Sequence, residues 1–188
     1  VMNCERRSKA DRAHWDWIKA QGLTPIKPAE LDKARAIAAA LQASPEARKL
    51  LRHGKKERTI IQPRQPGLLP LKARLDIHHE AKRQIVELKS TWNLAADQAT
   101  MERYRYLLSA AFYRDLVKGQ SVVFVFVQTT LPHDVAIMEM SRIQLQDGEM
   151  QWRTALEMFD RCWHRNECPE AEPSSLDDDP LFMNFIPV

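Results

Sequence analysis

The sequence predicts an α/β fold, a mixed central β-sheet flanked by helices, and three observations carry that reading. An almost fully apolar run at 121–128, rich in Val and Phe, has the composition of a strand buried on both faces. A stretch free of Gly and Pro at 96–118 repeats apolar residues at helical spacing. Ahead of both lie three short β-rich segments broken by turn residues, the pattern of an antiparallel meander. At 188 residues the chain is long enough to bury a sizeable core.

In chain order, residues 1–28 are polar and basic, with Trp15, Trp17 and two prolines, and the first predicted helix covers 29–43. Leu31, Ala34, Ala38 and Leu41 recur there at helical spacing, and Glu30 and Asp32 suit the positive end of the helix dipole. Ser44-Pro45 reads as the cap and first-turn proline of a short helix over 46–52. Arg58-Thr59-Ile60-Ile61 then begins a strand that ends at Pro63, and Pro66-Gly67 turns the chain. Strands are predicted at 68–77 and 84–88, joined by a polar turn from His78 to Arg83 that leaves His78 and His79 in solvent. One long helix over 96–118 follows, stopped by Gly119, with Tyr104 and Phe112 expected inside. A strand at 134–140 precedes a final helix over 142–164. Its expected buried positions are Leu145, Met150, Trp152, Leu156, Phe159 and Trp163, with Gly148 weakening its early part. The expected organisation is one domain over 1–168 and an acidic, solvated tail over 169–188.

Composition excludes several classes. Hydrophobic residues at 44% rule out a chain disordered throughout, and no apolar stretch approaches the roughly 20 residues of a membrane span. The charged first residues are unlike an export signal, and three cysteines are too few for a disulfide framework, so a cytoplasmic protein is expected. Cys162, His164 and Cys168 are spaced irregularly for zinc, and Cys162 reads better as a helix residue facing the core. The net charge of +3 hides a strong asymmetry. From Arg48 to Arg74 nine basic residues face the single acid Glu57, a local charge of +8. After Arg165 no Lys or Arg remains. A basic centre of this kind fits a polyanion-binding surface.

The chemistry is carried by the second and third strands. Val86-Glu87-Leu88-Lys89 sets Glu87 and Lys89 two residues apart, on one face of the sheet, and Asp76 lies near the end of the strand expected to pair with it. Asp76 and Glu87 can then hold one divalent cation between them, and Glu57 on the preceding strand could add a third carboxylate. Such oxygen ligands suit Mg²⁺ or Mn²⁺, and a lysine beside the ion can stabilise developing negative charge. The same residues could instead form a cross-strand salt bridge.

Motif and element order resemble the PD-(D/E)xK nuclease superfamily with its restriction-endonuclease-like core. Within it they are similar to the RecE (exonuclease VIII) exonuclease domain of phage and prophage recombination. The carriers are Glu5-Arg6-Arg7-Ser8, the basic strand start around Glu57, Leu71 to Asp76, Val86 to Thr91, Tyr104 to Tyr106, Ala111 to Tyr113 and the buried strand at 122–127. The resemblance implies a Mg²⁺-dependent exonuclease that degrades one strand of linear double-stranded DNA 5′ to 3′. It implies ring-shaped homo-oligomers in a bacterial host cell and a single-strand annealing protein as partner. Carried over, Asp76, Glu87 and Lys89 are catalytic, and Glu57, Asp76, Glu87 and the Leu88 carbonyl are metal ligands. Tyr113, Ser109, Trp92 and Arg74 are candidate DNA contacts. Ser109 stands where the family has Gln, Leu75 where it has Pro, and the family's upstream His motif has no counterpart before Glu5. An endonuclease of the same superfamily and a non-cleaving DNA-binding or assembly module are the alternatives.

Overall fold

A computed structural model describes residues 2–3, 8–94, 101 and 103–167. Ser8 opens helix α1 (Lys9–Ala20) with a capping box: its hydroxyl accepts the Asp11 N–H, and the Asp11 carboxylate accepts the Ser8 N–H. Helices α2 (Pro28–Ala43) and α3 (Pro45–Arg52) each begin with proline. Ser44 ends the first and caps the second by accepting the Ala47 N–H at 3.3 Å. Two short strands, β1 (Met2–Asn3) and β2 (Pro25–Ile26), pair in parallel.

The main sheet has five strands in sequential order: β3 (Lys55–Gln62), β4 (Leu71–His79), β5 (Gln84–Thr91), β6 (Ser121–Gln128) and β7 (Val135–Glu139). The first three form the antiparallel meander, β5 and β6 run parallel, and β7 returns antiparallel to β6. A crossover is obligatory between the parallel pair, and it carries α4 (Tyr106–Leu116). Helix α5 (Arg142–Arg165) follows β7. The chain forms two compact units, residues 1–152 and 153–188, with the boundary inside α5.

Strand β6 organises the core because all its residues from Val122 to Val127 are buried. Val122, Phe124 and Phe126 meet Ala110 of α4 and Leu145 of α5 on one face. Val123, Val125 and Val127 meet Leu41 of α2 and Ala47 of α3 on the other. Helices therefore cover both faces, the class the apolar run predicts.

The structure corrects several expectations. Helix α4 starts at Tyr106, behind Arg105 in the left-handed region at φ 51°; residues 95–100 and 102, where the long helix was expected to begin, lie outside the described residues. That turn leaves Tyr104 exposed, stacked on Tyr106 with centroids 5.6 Å apart. In α5, Leu145 and Trp152 are buried as expected, but Met150, Phe159 and Trp163 are exposed. Phe159 and Trp163 lie in the second unit and stack on each other at 6.2 Å. Gly148 is the point where α5 meets α4: a Cβ there would stand 2.0 Å from the Leu107 carbonyl oxygen and 3.0 Å from Ala111 Cβ. The Cys162 thiol is free and half-buried, while Cys168 and the tail lie outside the described residues. Among the described residues, no helix is long and apolar enough to cross a membrane.

Candidate active site

A dislocation in β4 builds the site. Residues two apart on a strand share a face, yet Leu75 packs in the α4-side core and Ile77 in the α2/α3-side core. The strand changes face at Asp76. Its ladder with β5 runs from His79–Gln84 to Ile77–Val86 and goes no further. Beyond it, side chains take over the ladder's bonds: the Leu88 N–H donates to Asp76 Oδ2 at 2.8 Å, and the Asp76 N–H donates to Glu87 Oε1 at 3.3 Å. The Glu87 carboxylate is thereby held by the backbone of Asp76, and the Asp76 carboxylate by the backbone of Leu88, the residue after Glu87.

Glu87 follows Ile85 onto the α4 face, and its side chain is only 3% exposed. Lys89, two residues on, places Nζ 3.0 Å from Glu87 Oε2. Burial raises the Glu87 pKa, Lys89 opposes that shift, and Asp76 adds to it. For Lys89, burial works against the charge, but Glu87, Asp76 and Tyr106 together outweigh it and raise the pKa. Tyr113 on α4 faces the same group: burial raises its phenol pKa, Glu87 and Asp76 add to the rise, and Lys89 counters it.

The remaining predicted residues are placed differently. Glu57 falls opposite Asp76 in the β3–β4 register, between the Lys56–Ile77 and Arg58–Leu75 pairs, but its φ of 51° interrupts the ladder. Its exposed carboxylate accepts from Arg74 Nε at 2.6 Å, so the structure pairs Glu57 with Arg74 instead of bringing it to Asp76 and Glu87. Ser109 Oγ donates to the Tyr106 carbonyl at 3.0 Å, a bond within its own helix. Trp92 is 63% exposed just past β5, its carbonyl held by Gln128 Nε2 and Thr130 Oγ1.

His78 and His79 correct the expected polar turn: β4 extends through both, and both are buried. His78 Nδ1 accepts from Arg58 Nη1 at 2.7 Å, and His79 Nε2 donates to the Leu50 carbonyl at 2.8 Å. Burial, then the Arg58 charge, holds His78 below the usual imidazole range, while Glu80 opposes them. Gly54 at φ 111° makes room for this packing, since a Cβ would stand 2.8 Å from Ile77 Cγ2. Neither imidazole joins the carboxylates.

The sequence marks Tyr106 only as part of the Tyr104–Tyr106 segment that carries the resemblance, and the structure brings it to Lys89. The Tyr106 ring lies under the Lys89 ammonium, with Nζ 5.6 Å from the centroid. Tyr106 and Tyr113 are seven residues apart, two helical turns, and that shared face was the available signal.

Among the described residues, no group of three or more His, Cys, Asp or Glu side chains is placed to hold a metal. The pair of carboxylates nonetheless fits Mg²⁺ or Mn²⁺. Their oxygens are hard donors, and Mg²⁺ is commonly bound by one or two carboxylates while keeping several waters. A buried carboxylate whose charge is disfavoured, as at Glu87, also gains from a cation beside it.

Residues 13–174 match a family described as a PDDEXK-like domain of unknown function (DUF3799). No curated protein matches the chain. Among solved structures, a candidate exonuclease from Eubacterium rectale superposes with a TM-score of 0.55 at 15% identity, covering 84% of this chain and 67% of that one. A phage related exonuclease from Haemophilus somnus 129PT gives a TM-score of 0.47 at 13% identity, covering 87% of this chain and 91% of that one. The first of these likenesses bears on the fold alone.

Proposed function

Because the chain belongs to the PDDEXK-like DUF3799 family, we propose that it is a metal-dependent nuclease hydrolysing phosphodiester bonds of DNA. The finer reading is an exonuclease of the RecE type, acting 5′ to 3′ on linear duplex ends in phage recombination, as a homo-oligomer beside a single-strand annealing protein. The observation that carries the nuclease reading is the junction of Asp76, Glu87 and Lys89 at the β4 dislocation.

Asp76, Glu87 and the Leu88 carbonyl are the donors that would hold the cation. When bound, Mg²⁺ or Mn²⁺ supplies polarisation of the scissile phosphate and a more acidic water. Glu87 uses one oxygen to orient the Lys89 ammonium, which leaves two further N–H donors for a water and a phosphoryl oxygen. Lys89 thereby stabilises charge that develops only in the transition state. On β3 and β4, exposed Lys55, Lys56, Lys72 and Arg74 offer cations for the DNA backbone.

The test is digestion of a 5′-labelled linear duplex and a closed circle, in Mg²⁺ and in EDTA, beside Lys89→Ala. Mg²⁺-dependent loss of the linear duplex alone, absent in Lys89→Ala, supports the exonuclease. Cleavage of the circle moves the reading to an endonuclease. Full activity of Lys89→Ala defeats the site assignment. One observation favours a second reading, a DNA-binding module without cleavage: the Glu57 carboxylate is engaged by Arg74. Duplex binding of equal strength in Mg²⁺ and EDTA, with no cleavage, would select it.

A further inference from the structure

We infer that Tyr106 is a positioning residue that holds the Lys89 ammonium over its ring, an inference that rests on the role proposed above for Lys89. A lysine ends in a flexible four-carbon stem, and one contact to Glu87 leaves the ammonium free to swing about it. Here a second contact restricts it. Lys89 Nζ lies 5.6 Å from the Tyr106 centroid and 5.9 Å from that of Phe124, within the range of cation–π attraction. The two rings form one surface, stacked at 5.4 Å and 25°, and Phe126 adds a third ring 6.2 Å from Tyr106. The lysine side chain is 25% exposed, so the attraction acts where water competes little.

Tyr106 is itself fixed. It is the first residue of α4, set by the left-handed Arg105, and its carbonyl accepts the Ser109 hydroxyl at 3.0 Å. Ser109 thus supports the turn that carries the ring. Glu87 on one side and the aromatic surface on the other define where the charge sits, a preorganisation that electrostatic catalysis requires.

The experiment replaces Tyr106 with Phe, with mono-, di- and trifluorinated phenylalanines, and with Leu. Fluorination weakens the ring's negative face while scarcely changing its volume, so packing stays and the cation–π term falls. Rates on a linear duplex are read as kcat and KM, and the Lys89 methylene proton shifts are read by NMR on the metal-free protein. Tyr106→Phe is expected to keep kcat within about threefold, with a stepwise fall of roughly tenfold across the fluorinated series and in Leu at unchanged KM. The Lys89 methylene protons are expected upfield in the native protein and shifted back in Tyr106→Leu. A flat kcat across the fluorinated series, or Lys89 protons unmoved by Tyr106→Leu, overturns the inference. Lys89→Ala in the same assay separates the failures. If it is inactive while the series is flat, the positioning role alone falls. If Lys89→Ala is fully active, the nuclease role of Lys89 falls, and the NMR shifts still decide whether the ring holds the ammonium.

Discussion

Replacing Gly148 by Ala sets two effects of opposite sign against each other. In a helix interior Ala is favoured over Gly by about 1 kcal/mol, so a glycine that merely weakened α5 should give a more stable protein when replaced. The packing argues otherwise. The new Cβ would stand 2.0 Å from the Leu107 carbonyl oxygen, against an ordinary C···O approach of roughly 3.3 Å. The obstacle is backbone, so one helix must move by more than an ångström relative to the other, and Ala111 Cβ at 3.0 Å closes one way out. Overpacking of this kind costs up to about 3 kcal/mol, which leaves a net loss of about 2 kcal/mol after the propensity gain. For a protein of this size that is a fall in Tm of roughly 4–8 °C. Urea and thermal unfolding followed by circular dichroism measure it. Leu107 adjoins Tyr106, so nuclease activity should fall as well. A Gly148→Ala protein as stable as the native one, or more so, would refute the reasoning.

Four further outcomes are expected. Glu87→Gln and Lys89→Met should each destabilise the protein in EDTA by about 1–3 kcal/mol, because each strands a desolvated charge. The double variant should lose less than their sum by about 1 kcal/mol or more, and additivity in urea unfolding would deny the ion pair. Glu57→Gln should shift the Mg²⁺ concentration for half-maximal cleavage by less than about tenfold, since its carboxylate is engaged by Arg74. A shift of about a hundredfold would place Glu57 among the ligands. Gly54→Ala should cost about 2 kcal/mol or more, from the φ of 111° and the 2.8 Å approach to Ile77, and unchanged thermal unfolding would count against the close packing there. Chelation with EDTA should abolish cleavage while leaving circular dichroism unchanged, because the core of the sheet is built without the cation; loss of the fold would contradict that.

Strong local signals made much of this fold legible. The uninterrupted apolar run of β6 specified a doubly covered strand, and Ser44-Pro45 marked the end of one helix and the start of the next within a residue. Elements set in strongly polar stretches were harder to read. Helix α1 carries a Ser8–Asp11 capping pair and apolar residues at helical spacing, Ala10, Ala13 and Trp17, but charged residues between them mask the pattern. Polar residues signal turns, so the sequence points His78 and His79 to solvent, whereas Arg58 and the Leu50 carbonyl satisfy them inside. At the site, the two-residue spacing of Glu87 and Lys89 fixed their shared face. Their junction with Asp76 depends on a change of strand face that no residue type announces.

That change of face also decides which Asp76 variant is informative. Asp76→Ala removes a carboxylate from the proposed ligand set, but it also removes the acceptor of the Leu88 N–H at the point where the β4–β5 ladder has ended. Losing that bond costs about 1 kcal/mol and loosens the strand that carries Glu87 and Lys89. Inactivity of the alanine protein would therefore confound lost chemistry with lost alignment. Asp76→Asn keeps an oxygen for the Leu88 N–H and loses only the charge. Asp76→Asn is expected to unfold within about 0.5 kcal/mol of the native protein and to lose cleavage by at least about a hundredfold, while Asp76→Ala loses both activity and stability. Measured side by side, an active Asp76→Asn would show that Asp76 serves the site by splicing β4 to β5, and an inactive, stable one that its charge does the chemistry.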